Sequence, residues 1–245
     1  MRVFVALLLA LSSLAALAQA DYAREQRWAA EITPAILVGD PVQLATSGGR
    51  KFLGIYAPNA KAQAGVIVVH GLGLHPDWEL INVLRSQLSE QGYATLSVQM
   101  PVLASDARGS DYPPLFPEAA ERLAAAAQYL RGKGHNKIAI VAHSLGARMT
   151  NVFLNGADRP EIAAFVAIGI SGEFTRPETF KAPVLDLHGE KDLPAVLDNA
   201  ASRAAAIRTI RGSAQISVAG AEHFFRGREA DLVRSVKLFL DRATR

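Results

Sequence analysis

A chain of 245 residues, half of them hydrophobic and a fifth charged, is long enough for a single domain with a full core. The absence of cysteine excludes disulfides and a lipid on an N-terminal cysteine. With 26 basic and 23 acidic residues the net charge is +3, and the basic residues are scattered and not interleaved with aromatics, which argues against nucleic acid as a partner.

Met1-Arg2, an apolar run over residues 3–17 and the small-x-small sequence Ala18-Gln19-Ala20 make the three parts of a secretory signal peptide. The run is too short and wrongly flanked for a membrane span. The expectation is therefore a signal peptide over 1–20, cleaved after Ala20, and one domain over 21–245 in the periplasm or outside the cell. No transmembrane segment is expected after signal removal.

Residues 21–33, with Arg24, Arg27, Trp28 and Ile32, read as a short amphipathic helix that packs its Trp28 side on the domain and carries no chemistry. Residues 35–38 and 51–56, separated by Ser47-Gly48-Gly49, read as antiparallel edge strands. From Val66 onward, apolar strands are expected at 66–69, 94–98, 138–141, 165–170, 184–187 and 215–218. Helices fit at 78–90, 117–131, 145–154, 195–210 and 229–242. Continuously apolar strands alternating with helices imply a mostly parallel, open doubly wound sheet covered on both faces. Its reactive loops belong at the carboxyl ends of the strands. The long loop 100–116 is a candidate wall of the substrate cleft. The segment 172–182 leaves room for little or no lid.

The strand expected at 138–141 runs into Ala142-His143-Ser144-Leu145-Gly146, followed at once by helical spacing. Small residues two before and two after a serine let the backbone turn sharply and expose the hydroxyl above the sheet. A serine needs a base to take its proton and an acid to orient that base. His223, in the loop after the last strand, supplies the base, and Asp192, after the penultimate strand, supplies the acid, with Glu190 as second choice. Asp192 as a helix N-cap is the structural alternative. The order Ser144, Asp192, His223 is the chain order of the α/β-hydrolase triad.

His70-Gly71-Leu72-Gly73 follows the first parallel strand, where a backbone N–H can meet a developing oxyanion; Leu72 and Leu145 are the two candidate donors. Asp77 reads as an N-cap for a helix beginning at Trp78, which packs near the site. No histidine pair has metal-site spacing, so no metal is expected. The Gly-rich turn lacks a dinucleotide or P-loop signature, so no cofactor is expected either.

On these motifs the chain from about Ala35 onward resembles the α/β-hydrolase superfamily. Gly71-Leu72-Gly73-Leu74-His75-Pro76-Asp77-Trp78 and residues 92–101 resemble an uncharacterised exported bacterial branch of it. The departure is Ala142 in place of the usual glycine. The resemblance implies the α/β-hydrolase fold and ester hydrolysis without naming a substrate. The expected partner is a small acyl compound; oligomeric state is left open. Amide, peptide or thioester cleavage by the same residues, and a non-catalytic envelope protein on the same fold, are the alternatives.

Overall fold

The computed structural model describes residues 19–157 and 159–245, so the signal peptide expected over 1–20 lies, but for its last two residues, outside the described residues. In chain order the elements are α1 (Tyr22–Ile32), β1 (Asp40–Ala45), β2 (Lys51–Ala57), β3 (Gly65–Val69), α2 (Glu79–Glu90), β4 (Ala94–Val98), α3 (Phe116–Gly132) and β5 (Ile138–His143). They continue with α4 (Leu145–Leu154), β6 (Ala164–Ile168), β7 (Val184–Gly189), α5 (Pro194–Leu197), α6 (Ala200–Ile207), β8 (Ala214–Val218) and α7 (Glu229–Ala243).

The eight strands form one sheet in the order β1-β2-β4-β3-β5-β6-β7-β8. β2 is antiparallel to both β1 and β4, and every other pairing is parallel. Both faces of the inner parallel strands β3, β5 and β6 are covered, which is why they read as apolar runs, whereas the edge strand β8 is partly exposed. In β3, Ile67 and Val69 enter the core under α3 and α4, whereas Val66 and Val68 enter the core under α2 and α7. Strand order reverses on either side of β3, because β4 lies on one flank and β5 on the other. The loops leaving β3 and β5 therefore open at the switch point, where ligands bind in this class of sheet.

Three expectations need correction. The first edge strand runs Asp40–Ala45 and not 35–38: Thr33–Ala35 form a 3₁₀ turn around Pro34, Leu37 is 94% exposed, and the Val38 carbonyl is taken by Arg85. Only from Asp40 does the chain pair with β2, setting Val42 opposite Gly54 and Leu44 opposite Phe52.

The helix expected over 195–210 is two pieces, broken at the turn-forming pair Asp198-Asn199. The break lets the wholly buried Arg203 take the Val196 carbonyl (3.0 Å) while its Nε pairs with Asp186 of β7 (2.9 Å). Asp77 does not cap α2, whose first residue is Glu79 and whose N-cap is Trp78. Its carboxylate instead receives Asn82 (2.7 Å) and the buried Arg85 (Nε, 2.7 Å). A buried guanidinium has to be paired, and that need decides where Asp77 points.

Between β6 and β7 the chain has a single 3₁₀ turn, Pro177–Thr179, and no inserted lid. No helix among the described residues is long and apolar enough to cross a membrane.

Candidate active site

β5 delivers Ser144 at φ 54° and ψ −121°, a backbone region that L-residues enter only when the surroundings enforce it. The enforcement is visible. The Ser144 amide donates to the Ile168 carbonyl (2.8 Å), while the Ser144 carbonyl accepts from Ala147 (3.0 Å) and Arg148 (3.3 Å) as α4 begins. Gly146 has no alternative, since a Cβ there would lie 2.3 Å from the His70 carbonyl oxygen. Two residues ahead of the serine, Ala142 fits without strain: it is wholly buried, in register between Val69 and Ala167. Alanine in place of the usual glycine does not blunt this turn.

The side chains expected to meet do so. His223 Nε2 lies 3.0 Å from Ser144 Oγ, and His223 Nδ1 lies 2.6 Å from Asp192 Oδ1. His223 is 6% and Asp192 5% exposed, so both work away from bulk water, while Ser144 stays partly open. Asp192 Oδ1 also accepts the Leu193 amide (2.8 Å), and Oδ2 accepts the Gly189 amide (3.2 Å). Burial pushes this carboxyl up, but the hydrogen bond and charge of His223 and the two amides outweigh it, and its pKa falls below the ordinary value. Asp192 is not the cap of α5, whose N-cap is Leu193. Glu190, the second-choice acid, is exposed and accepts the Gly220 amide (2.7 Å), tying two loops together.

Two glycines that sequence reasoning missed complete the fit. Gly169, at φ +56°, lies under the imidazole, and a Cβ there would stand 3.0 Å from His223 Nδ1 and Cε1 and 3.3 Å from Asp192 Oδ2. Gly189 admits the Ala221 carbonyl to within 2.4 Å of where its Cβ would be, which presses the acid loop against the histidine loop. Their only trace in the sequence is a glycine at each strand's carboxyl end.

Two further histidines are fixed in one tautomer. His70 Nε2 accepts the Met100 amide (2.9 Å), so its proton is on Nδ1 and donates to the Gly71 carbonyl (2.9 Å). Burial drives the His70 pKa down to about 3, keeping it neutral. The Gly71 carbonyl and the Leu72 N–H belong to one planar peptide and point oppositely, so holding the oxygen back turns the amide the other way. Gly71 brings that peptide to the elbow, with its Cβ position 3.1 Å from Ser144 Cβ. No acceptor among the described residues takes the amide N–H of Leu72 or of Leu145, the first residue of α4. At Leu145 the helix dipole also favours negative charge.

His143, neutral because burial and the charge of His223 lower its pKa to about 4, donates from Nε2 to the His223 carbonyl (3.0 Å). On the other side, Phe224 bridges His223 and Trp78, with ring centroids 5.1 Å from each. Trp78 thus packs near the site. Among the described residues no group of three or more His, Asp or Glu is placed to hold a metal ion.

A buried carboxylate, an imidazole and a serine hydroxyl stand in line at the carboxyl ends of the parallel strands, near two amides without an acceptor among the described residues, an arrangement in which the hydroxyl proton can pass to the imidazole. This chain belongs to the α/β hydrolase family, whose model matches residues 66–244. A second model, described as a protein of unknown function (DUF3530), matches residues 2–120.

Among solved structures, the Pyrococcus furiosus esterase Pf2001 is similar at 15% identity and TM-score 0.68, over 84% of this chain and 93% of that one. A putative α/β hydrolase of unknown function from Agrobacterium tumefaciens is similar at 20% identity and TM-score 0.63, over 82% and 95%. A serine hydrolase without lid from Xanthomonas campestris is similar at 16% identity and TM-score 0.62, over 84% and 95%. A search of curated proteins finds no match.

Proposed function

We propose that this chain is an exported serine hydrolase that cleaves carboxylic esters or related acyl compounds through an acyl-enzyme. The observation that carries the reading is the line of contacts from Asp192 through His223 to Ser144, at 2.6 and 3.0 Å. The esterase and the serine hydrolase of the same fold support it.

In this reading Ser144 Oγ bonds to the substrate carbonyl carbon while His223 Nε2 takes the hydroxyl proton. Asp192 holds Nδ1–H and balances the charge that forms on the imidazole. The Leu72 and Leu145 amides receive the oxyanion. When the tetrahedral species collapses, the bond to the alcohol breaks and the alcohol leaves with the proton from His223. Water, deprotonated by His223, then releases the acid and restores Ser144.

Residues 1–20 act in this proposal as a cleaved signal peptide, which places the mature domain 21–245 in the periplasm or outside. N-terminal sequencing of the exported protein checks this, with Asp21 as the expected first residue. Hydrolysis of matched ester, thioester and amide substrates by the wild type, lost in Ser144→Ala, tests the activity. Ester turnover that survives Ser144→Ala contradicts it.

A further inference from the structure

Helix α1 lies outside the stretch that matches the α/β hydrolase model, yet its polar side chains converge on the loops around the site. Asp21, Arg24 and Glu25 share one helical face by their spacing. Together they grip residues 102–103. The Asp21 amide donates to the Val102 carbonyl (2.7 Å), the Val102 amide donates to Glu25 Oε1 (3.3 Å), and Arg24 Nη1 donates to the Leu103 carbonyl (2.7 Å). Arg24 then reaches further: Nη2 donates to the Gly73 carbonyl at 3.4 Å, in the turn that carries Leu72. Its guanidinium lies 4.4 Å over the Trp28 ring, and Trp28 in turn sits 5.6 Å from the His75 ring, so both ends of the 73–75 segment rest on α1.

A second route runs beneath. Glu25 receives both Nη atoms of Arg122 (2.8 and 3.2 Å), and Arg122 donates to the Gln99 carbonyl (3.0 Å). The Gln99 side chain and the Met100 amide both meet His70 Nε2, whose other nitrogen holds the Gly71 carbonyl. α1 thus touches the peptide on either side of Leu72, directly at Gly73 and through His70 at Gly71. Elsewhere α1 is held at its first turn, where Tyr22 Oη donates to Glu118 (2.9 Å) and its ring lies 3.8 Å under the Arg50 guanidinium, and by the buried Ile32, while a pocket of about 520 Å³ lies between its remaining face and β1 and β2.

The geometry points to Arg24 as a positioning residue that sets the Leu72 amide from outside the site, making the first helix of the domain a determinant of turnover. The kinetic part rests on the hydrolase reading; the structural part does not. A group that meets substrate only as charge develops affects kcat and not KM. Loosening one donor is a smaller loss than the roughly 100 to 1,000-fold of deleting it, so about tenfold in kcat is expected.

Arg24→Met keeps an unbranched apolar stem but removes both carbonyl contacts and the guanidinium over Trp28, and Arg24→Lys restores a cation able to reach one carbonyl. In folded Arg24→Met, backbone order parameters for the amides of Leu72, Gly73 and Leu74 are expected to fall from about 0.85 to below about 0.6, with β7 unchanged. kcat on an ester falls about tenfold with KM within about twofold, and Arg24→Lys recovers part of both effects. Unchanged order parameters at Leu72–Leu74 overturn the proposal, as does an Arg24→Met enzyme with normal kcat. If the wild type hydrolyses nothing, the hydrolase reading fails, and the order parameters alone decide whether Arg24 braces the turn.

Discussion

Replacing Asp192 by asparagine separates two jobs of one carboxylate, orienting the imidazole and balancing its charge. Oδ1 accepts from both His223 Nδ1 (2.6 Å) and the Leu193 amide (2.8 Å), whereas Oδ2 accepts only the Gly189 amide at 3.2 Å. An asparagine oxygen therefore settles at the Oδ1 position, keeping two hydrogen bonds, and its NH₂ faces the Gly189 amide, losing one long one. The reverse orientation sets donor against donor at Leu193 and at His223. The tautomer of His223 survives, and what is lost is the charge. Withdrawing a unit charge about 4 Å from the imidazolium at an effective dielectric near 20 removes roughly 4 kcal/mol of stabilisation. At about 1.4 kcal/mol per factor of ten, turnover falls roughly 1,000-fold. Asp192→Ala also releases Nδ1, and a loss of about 10,000-fold or more is expected when the tautomer is no longer held. The assay is kcat of the three proteins on one p-nitrophenyl ester, with circular dichroism to confirm folding. Equal rates for the Asn and Ala variants, or an Asn variant within tenfold of wild type, would refute the reasoning.

Gly169→Ala puts a methyl 3.0 Å from His223 Nδ1 at a φ of +56°, so both strain and a displaced imidazole are expected. Turnover should drop about 10 to 100-fold and stability by about 1–2 kcal/mol; wild-type kcat would mean the ring has room to spare. Leu72→Pro deletes one amide donor and should lower kcat roughly 100 to 1,000-fold in a folded protein. Full activity in that variant would remove Leu72 from the oxyanion site. Stability should fall with acidity, because unfolded His70 and His143 take up protons below about pH 6.5, while the folded chain refuses them until about 3 and about 4. Each histidine loses roughly 1.4 kcal/mol of stabilisation per pH unit in that window, on the order of 5 kcal/mol for the pair between pH 6.5 and 4.5. Urea unfolding at the two pH values measures it, and a flat profile would contradict neutral burial of these rings.

The elbow was legible because its signals are local. A β-branched run, small residues flanking Ser144 and helical spacing from Leu145 follow one another without a gap from Ile138 to Leu154, and α4 begins and ends where expected. The order of strands and helices was legible for the same reason, as was the placing of Asp192 and His223 at strand ends.

What stayed hidden depends on partners distant in sequence. Asp77 looks like a cap until Arg85 is seen to need its charge. Residues 35–38 look like a strand until Val38 is found serving that same arginine. Glu25, on a helix expected to carry no chemistry, answers Arg122 across 97 positions. Gly169 and Gly189 matter only through the loops that press on them.

In the proposed reaction Ser144 is a nucleophile made reactive by His223. The sharpest test incubates the purified protein with a fluorophosphonate and maps the adduct by mass spectrometry. One phosphonylated residue, Ser144, is expected, with labelling lost in Ser144→Ala and strongly slowed in His223→Ala. A folded wild-type protein that stays unlabelled, or an adduct on another residue, would contradict it.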